Sequence, residues 1–199
     1  VSGRLVIAID GKAIRGAKDK DGKAPHLVAA LAHGIGAVLG QVAVDEKSNE
    51  IPAVRDLLKA FASLAGAVIT IDALHTQSDT AQVITGRGAD YVMTVKGNMP
   101  ALYRQLKKLP WAEVPAVSTV STGHGRRARR TIKAVLAPAW IGFAGAAQVA
   151  QVRRTVTRKG KKTVEVVPHY QRPRRRSRHP GGLGPRPLGD RKRLHWSAT

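Results

Sequence analysis

Residues 4–10 read RLVIAID and residues 67–72 read AVITID. Each is a short apolar run, rich in β-branched residues, that ends in an aspartate. Runs of this length, bounded by turn residues, predict buried strands rather than helices. Asp10 and Asp72 then sit where their strands end. Strand ends are where an α/β sheet presents side chains to a site from a rigid support. If the two strands are neighbours, two carboxylates converge at one sheet edge. They repel unless a cation joins them. Magnesium suits such hard oxygen ligands and keeps waters for chemistry. Two such ions about 4 Å apart can activate a nucleophile and stabilise the leaving oxygen of a phosphodiester. The structural alternative is that Asp72, which precedes A-L-H-T-Q, caps the next helix.

The stretches around these runs give an order of elements. The GKAIRGAKDKDGK segment (11–23) reads as a loop or hairpin connection. HLVAALAH (26–33) and AVLGQVAVDE (37–46) are strand-like, and the short G-I-G between them predicts an antiparallel hairpin. Residues 50–63 place apolar side chains at 51, 54, 57, 58 and 61, a helical stripe. Pro52 is tolerated in the first turn, and Ser48 or Asn49 could cap it. A second helix is expected over 76–86, ended by Gly86 and Gly88. Residues 90–96, DYVMTVK, predict a strand, and 98–109 a third helix with Pro100 near its start. The expected order is β-β-β-α-β-α-β-α.

From 115 to 167 the pattern becomes all-β. Four short strand-like runs are separated by Gly- and Lys-rich turns such as RKGKK (158–162). After Val167 the periodic apolar residues stop, and a Pro-, Gly- and Arg-rich stretch follows that cannot bury enough surface to fold alone. The expected division is a core over 1–114, a basic β-rich segment over 115–167 and a disordered or aberrant basic tail over 168–199.

Composition bounds the function. The net charge is +21 over 199 residues, and it is unevenly spread. Residues 1–116 hold fourteen Lys/Arg against eleven Asp/Glu, whereas 117–199 hold twenty against only Glu165 and Asp190. A near-neutral part followed by a strongly basic one points to a polyanionic partner, most simply nucleic acid. Charge alone does not exclude a packaging or ribosomal-type protein, because attraction to phosphate is independent of sequence. Cysteine is absent, which excludes disulfides and thiolate zinc sites. No apolar run reaches the length of a membrane span, and the first residues do not form a convincing signal peptide.

Six blocks together resemble one family. They are AIDGKAIRG (8–16), HLVAALA (26–32), LGQVAVDEKSNEI (39–51), ITIDALHTQ (69–77), ADYVMTVKGNMPAL (89–102) and GHGRRARR (123–130). In this order they are similar to the H-repeat-associated DDE transposases of bacterial insertion sequences. That resemblance implies an RNase H-like mixed α/β sheet opened by three antiparallel strands, with the basic all-β stretch as an insertion. It implies DNA transposition, meaning strand cleavage and transfer at element ends with Mg2+ or Mn2+ as cofactor. Asp10 and Asp72 would be the first two catalytic, metal-binding carboxylates. The partner would be double-stranded DNA, bound by a homodimer, in the cytoplasm and on the nucleoid.

By the same resemblance Lys12, Arg15, Lys47, Asn49, Gln77, Lys96 and Asn98 contact DNA or support the site. Lys47 and Lys96 could equally be solvated loop charges, and Asn98 could cap the helix that follows it. Arg126, Arg127, Arg129 and Arg130 form a candidate phosphate strip, though a strand cannot point all four the same way. The alternative is the wet face of an edge strand. His124 reads as a turn residue.

The family's third carboxylate is a Glu in a block resembling G-H-W-G-I-E-N-x-L-H-W. Here the chain ends PLGDRKRLHWSAT, so only R-L-H-W corresponds. Two compensating frame changes, near 167 and just before Arg193, would account for this and for the composition of the tail. Asp190 matches no catalytic position, and Glu165 sits in a strand-like run. The resemblance also implies a region ahead of the first strand. The competing expectation is therefore a truncated, catalytically dead DNA-binding remnant, and a basic packaging protein is the third.

Overall fold

The structure, a computed structural model, describes residues 3–18, 20, 22, 24–44, 50–123, 125–158 and 161–171, with side chains as far as Val167. Among the described residues nine strands and three helices follow in chain order. They are β1 (Val6–Ala13), β2 (His26–Ala32), β3 (Ala37–Val44), α1 (Glu50–Ala60), β4 (Val68–Ile71), α2 (Ser78–Gly86), β5 (Asp90–Thr94), α3 (Pro100–Lys107), β6 (Ala116–Gly123), β7 (Arg126–Leu136), β8 (Gln148–Arg158) and β9 (Lys161–Gln171). The fold is mixed α/β, and the expected order of elements through residue 109 is the one found.

All nine strands join one sheet in the order β3-β2-β1-β4-β5-β9-β8-β7-β6. The three opening strands are antiparallel, as the two hairpin signals required. The G-I-G turn closes with Gly36 at φ 65° and its N–H on the Ala32 carbonyl. Strands β4 and β5 then add in parallel on the other side of β1. This is consistent with an RNase H-like DDE domain.

One face of β1, β2, β4 and β5 carries the core. Ile7, Ile9, Val28, Ala30, Ile69, Ile71, Tyr91 and Met93 are all buried there. Helix α1 covers this face with Val54, Leu57 and Leu58, and a Cβ on Gly40 would lie 3.2 Å from Leu57. Of the predicted stripe Val54, Leu57 and Leu58 are buried and Ile51 is half-buried, while Phe61 packs on the core from beyond the helix, which ends at Ala60 rather than at 63. Helix α2 begins at Ser78 rather than 76 and stops at Gly86. Gly88 takes φ 72°, which lets the chain turn directly into β5. Helix α3 spans 100–107 within the predicted 98–109.

Two differences from the sequence reading matter. Strand β1 runs on to Ala13, so part of the expected loop is ladder, paired as far as Ala13–His26. Strand β9 runs to Gln171, past the boundary at 167, and its end pairs antiparallel with β5. That pairing splices the basic strands onto the α/β sheet. The link between β7 and β8 is anchored from below, where the Tyr91 hydroxyl donates to the Ala144 carbonyl at 2.7 Å and its ring meets Phe143 edge-on. Of the tail over 168–199, residues 172–199 lie outside the described residues, as do Lys47, Ser48, Asn49 and His124. Among the described residues no helix is long and apolar enough to cross a membrane.

Arg4 ties the entry of β1 to the β4–β5 edge. Its guanidinium donates to the carbonyls of Gly66 and Ala67 and lies 2.7 Å from the nearly buried carboxylate of Asp90. Removing one partner of such a pair leaves the other charge uncompensated. Arg4→Ala is expected to lower unfolding stability by about 2 kcal/mol in a denaturant titration, less than a fully buried pair would cost because Arg4 keeps some water. A loss within experimental error would remove the pair from the account of stability.

Candidate active site at the carboxyl edge of the sheet

The parallel register of β1 and β4 pairs Ile9 with Ile71. The next residue on each strand is an aspartate. Asp72 follows the end of β4, whereas Asp10 lies inside β1, three residues before its end and not at it as the sequence reading expected. The two backbones stand side by side about one inter-strand spacing apart, roughly 4.8 Å. Both are exposed, while the isoleucines before them are buried. Ile9 anchors its strand in the core, and strand alternation turns Asp10 to the opposite face.

Asp72 does not cap α2, which starts six residues later with Gln77 at its N-cap and no side-chain cap bond. Its carboxylate instead accepts the His75 backbone N–H at 3.4 Å within the turn that follows β4. The Thr76 hydroxyl lies 2.9 Å from the Asp72 carbonyl and 2.7 Å from that of Thr94. Asn98 does not cap α3 either. Its amide donates to the Ala73 carbonyl and its oxygen accepts the Lys96 N–H at 3.1 Å. Thr76 and Asn98 thus lash the β4–α2 turn to the end of β5, which holds Asp72 in place.

Of the basic candidates, Lys12 is exposed two residues beyond Asp10 on the same face, and Arg15 is exposed just after the strand. Lys96 lies at the same edge, 3.8 Å from Glu165 of β9. Glu165 is on Asp10's face, but three strands across and four residues further along. That separation is on the order of 20 Å by strand geometry, too far to share an ion with Asp10. Among the described residues, no group of three or more His, Asp or Glu is arranged to hold a metal. On β7 the four arginines divide by strand alternation. Arg127 and Arg129 share one face with Thr131, while Arg126 and Arg130 share the other with Ala128.

A buried cluster behind the carboxylates was not singled out in the sequence. Glu50, at the start of α1, is 2% exposed and its carboxylate meets two imidazoles. One is His26 at the start of β2. The other is His75, whose Nε2 is 3.1 Å away and which lies 4.0 Å from Asp72. A buried carboxylate needs such partners, since desolvation without them is costly. Glu50 also presses on β1, where a Cβ at Gly11 would lie 2.5 Å from its Oε2. This explains the glycine after Asp10. The only sequence signal was a glutamate opening an apolar helical stripe, which reads first as an ordinary favourable acid in a first turn.

Comparison with known proteins now defines the class. The chain belongs to the transposase DDE domain family, whose model matches residues 1–197. Over 133 residues, 63% of the chain, it is 41% identical to a protein of Escherichia coli K12 named "Putative transposase YncI", covering 53% of that protein. Over 129 residues it is 38% identical to the "H repeat-associated putative transposase YhhI" of the same organism, covering 34% of it. The chain thus spans about a third to a half of these relatives.

Gly11 and Glu50 should be energetically coupled. Gly11→Ala is expected to cost about 1–3 kcal/mol, because both imidazoles pin the carboxylate that the new methyl would strike. In a double-mutant cycle, Gly11→Ala should cost much less once Glu50→Ala has emptied the space. Additive effects would show that the two do not meet.

Proposed function

We propose that this chain carries part of an RNase H-like catalytic centre for metal-dependent DNA strand cleavage and transfer at insertion-sequence ends. The observation that carries the reading is the pairing of Ile9 with Ile71, which sets Asp10 and Asp72 side by side. Family membership supports transposition as the biological setting. The division proposed is a catalytic core over 1–114 and a basic β-rich insertion from 115, whose last strand runs past 167 to Gln171, with an aberrant tail after it.

The donor set fits a hard divalent ion. Two exposed carboxylates offer oxygens only, and Asp72 has one oxygen oriented by a backbone N–H. When bound there, Mg2+ or Mn2+ would supply Lewis acidity toward the attacking oxygen and the phosphate. The chain's own contribution is geometric. Asp10 is held by ladder bonds in β1, which has a neighbour on each side. Asp72 is held by the turn that Thr76 and Asn98 tie down. Lys12, Arg15 and Lys96 stand at the same edge, where they can neutralise the backbone of a duplex brought to the carboxylates. Lys47 would join them, and the insertion would bring Arg126 and Arg130 to DNA on Asp10's side of the sheet and Arg127 and Arg129 to DNA on the other.

A second reading is favoured by the C-terminal sequence, where only R-L-H-W of the family's glutamate block remains. On that reading the chain binds DNA and a cation but does not cut. Manganese binding followed by electron paramagnetic resonance tests the common part of both readings. Asp10→Asn or Asp72→Asn should weaken it by more than the roughly 10–100-fold typical of losing a supporting residue. Unchanged Mn2+ affinity in both variants would sink the site. Magnesium-dependent nicking of duplex DNA, abolished by Asp10→Asn, then identifies the enzyme, and binding without nicking identifies the remnant.

A further inference from the structure

Strands β6–β9 do not lie flat beside the α/β sheet. Only the last three residues of β9 pair with β5, Thr94 with His169 at the limit. The remaining eight residues of β9, from 161 to 168, run on past the carboxyl end of β5, with β8, β7 and β6 alongside. At about 3.4 Å per residue the arm projects roughly 27 Å beyond the edge that holds Asp10 and Asp72.

The register decides which side each cation occupies. Ile9 pairs with Ile71 and Ile71 with Met93. Val149 lies in the same buried cluster as Met93, and Gln151, Arg153 and Thr155 follow it at the strand repeat. The helix-covered face of the core therefore continues into the face of the arm that bears Arg153. Asp10 belongs to the opposite face. Arg153 is not alone there. Arg127, Arg129 and Lys162 converge with it on an open groove of about 510 Å³, interleaved with Thr131, Thr155 and Thr157. Lys133 closes the base of the groove by donating to the Trp111 carbonyl. Among the described residues no acid faces this groove, whereas Glu165 lies on the other side.

Successive same-face residues are about 6.8 Å apart along a strand. The register sets the four cations on three successive levels at that pitch, Arg127 and Lys162 on one, Arg129 on the next and Arg153 on the third, with threonines between them. Such a spread suits the phosphates of a nucleic-acid backbone, to which Arg, Lys and Thr all bond. The sheet itself stands between this groove and Asp10. A duplex lying on Asp10's face is screened from the groove by the strands.

We propose that the groove is a second DNA-backbone site, which holds a duplex segment other than the one at Asp10 and Asp72. The inference rests on the reading that this chain works on DNA. It adds that one chain engages two duplex segments, on opposite faces of one sheet.

The test is the stoichiometry of the full chain with a labelled duplex of about 10 base pairs, one helical turn. The protein is titrated well above the dissociation constant, and its oligomeric state is measured in parallel. The wild type should take up two duplexes per chain. The variant Arg127→Ala/Arg129→Ala/Arg153→Ala/Lys162→Ala should take up one. Its slope of log affinity against log salt should fall by about 0.9 for each phosphate that the variant no longer neutralises. A charge-matched variant on the other face, Arg126→Ala/Arg130→Ala/Arg158→Ala/Lys161→Ala, should keep the groove duplex, seen as protection of Arg129 and Arg153 from arginine-specific modification. Arg→Lys changes at the three groove arginines should restore the second duplex, which separates loss of charge from loss of fold. Saturation of the wild type at one duplex per chain would overturn the proposal. So would a groove variant that still binds two. A wild type that binds no duplex would instead remove the DNA reading on which the proposal rests.

Discussion

Parallel pairing between β1 and β4 is the constraint on which the site depends. It joins residues more than sixty apart in the chain, and its register sets Asp10 against Asp72. A slip of one residue would turn Ile9 and Ile71 outward and bury a carboxylate, so the core enforces the register that the site needs. Ile7, Ile9, Ile69 and Ile71 are each at most 4% exposed, which leaves no alternative pairing that buries them equally well. Hydrophobic burial on one face thus positions charge on the other.

Holding two carboxylates at one edge requires support behind them, and α1 supplies it. Glu50 brings an acid into the core beneath Gly11 and meets His26 and His75, which arrive from β2 and from the turn after β4. Three segments that converge on the carboxylate edge are bound through one side chain. Thr76 and Asn98 make a second set of ties from above, linking the same turn to the end of β5. Glu50 is buried against the two imidazoles, and such a buried polar cluster is costly to disturb.

The basic half of the chain gains its place from a short splice. Three residues of β9 pair with β5, and the same strand carries the arm away from the core. Alternation along β7 and β8 sends neighbouring arginines to opposite faces. The charge that composition sums into one number is divided by the sheet into two surfaces with different surroundings. One continues the helix-covered face and is edged by Trp111, and the other shares its side with Glu165 and the carboxylates.

Much of this was legible in the sequence because it is written in local pattern. The two I-D endings, the helical stripe over 50–63, the G-I-G hairpin and the four basic β runs each depend on side-chain periodicity and turn chemistry within a few residues. The same local blocks carry the family resemblance. Less legible were Glu50, His26 and His75, which are separated by 24 and 25 residues and mean nothing until β2, α1 and β4 are packed together. Asn98 was ambiguous for the same reason, since its partner is the Ala73 carbonyl 25 residues away. The sequence by itself determined most of the strands and helices and that two carboxylates follow matching apolar runs. Only the tertiary structure decided that those strands are neighbours, that a buried glutamate stands behind them and that the arginines of one strand serve two faces. The reason is that pairing register and sidedness are properties of the whole sheet, settled by long-range burial rather than by any local run of residues.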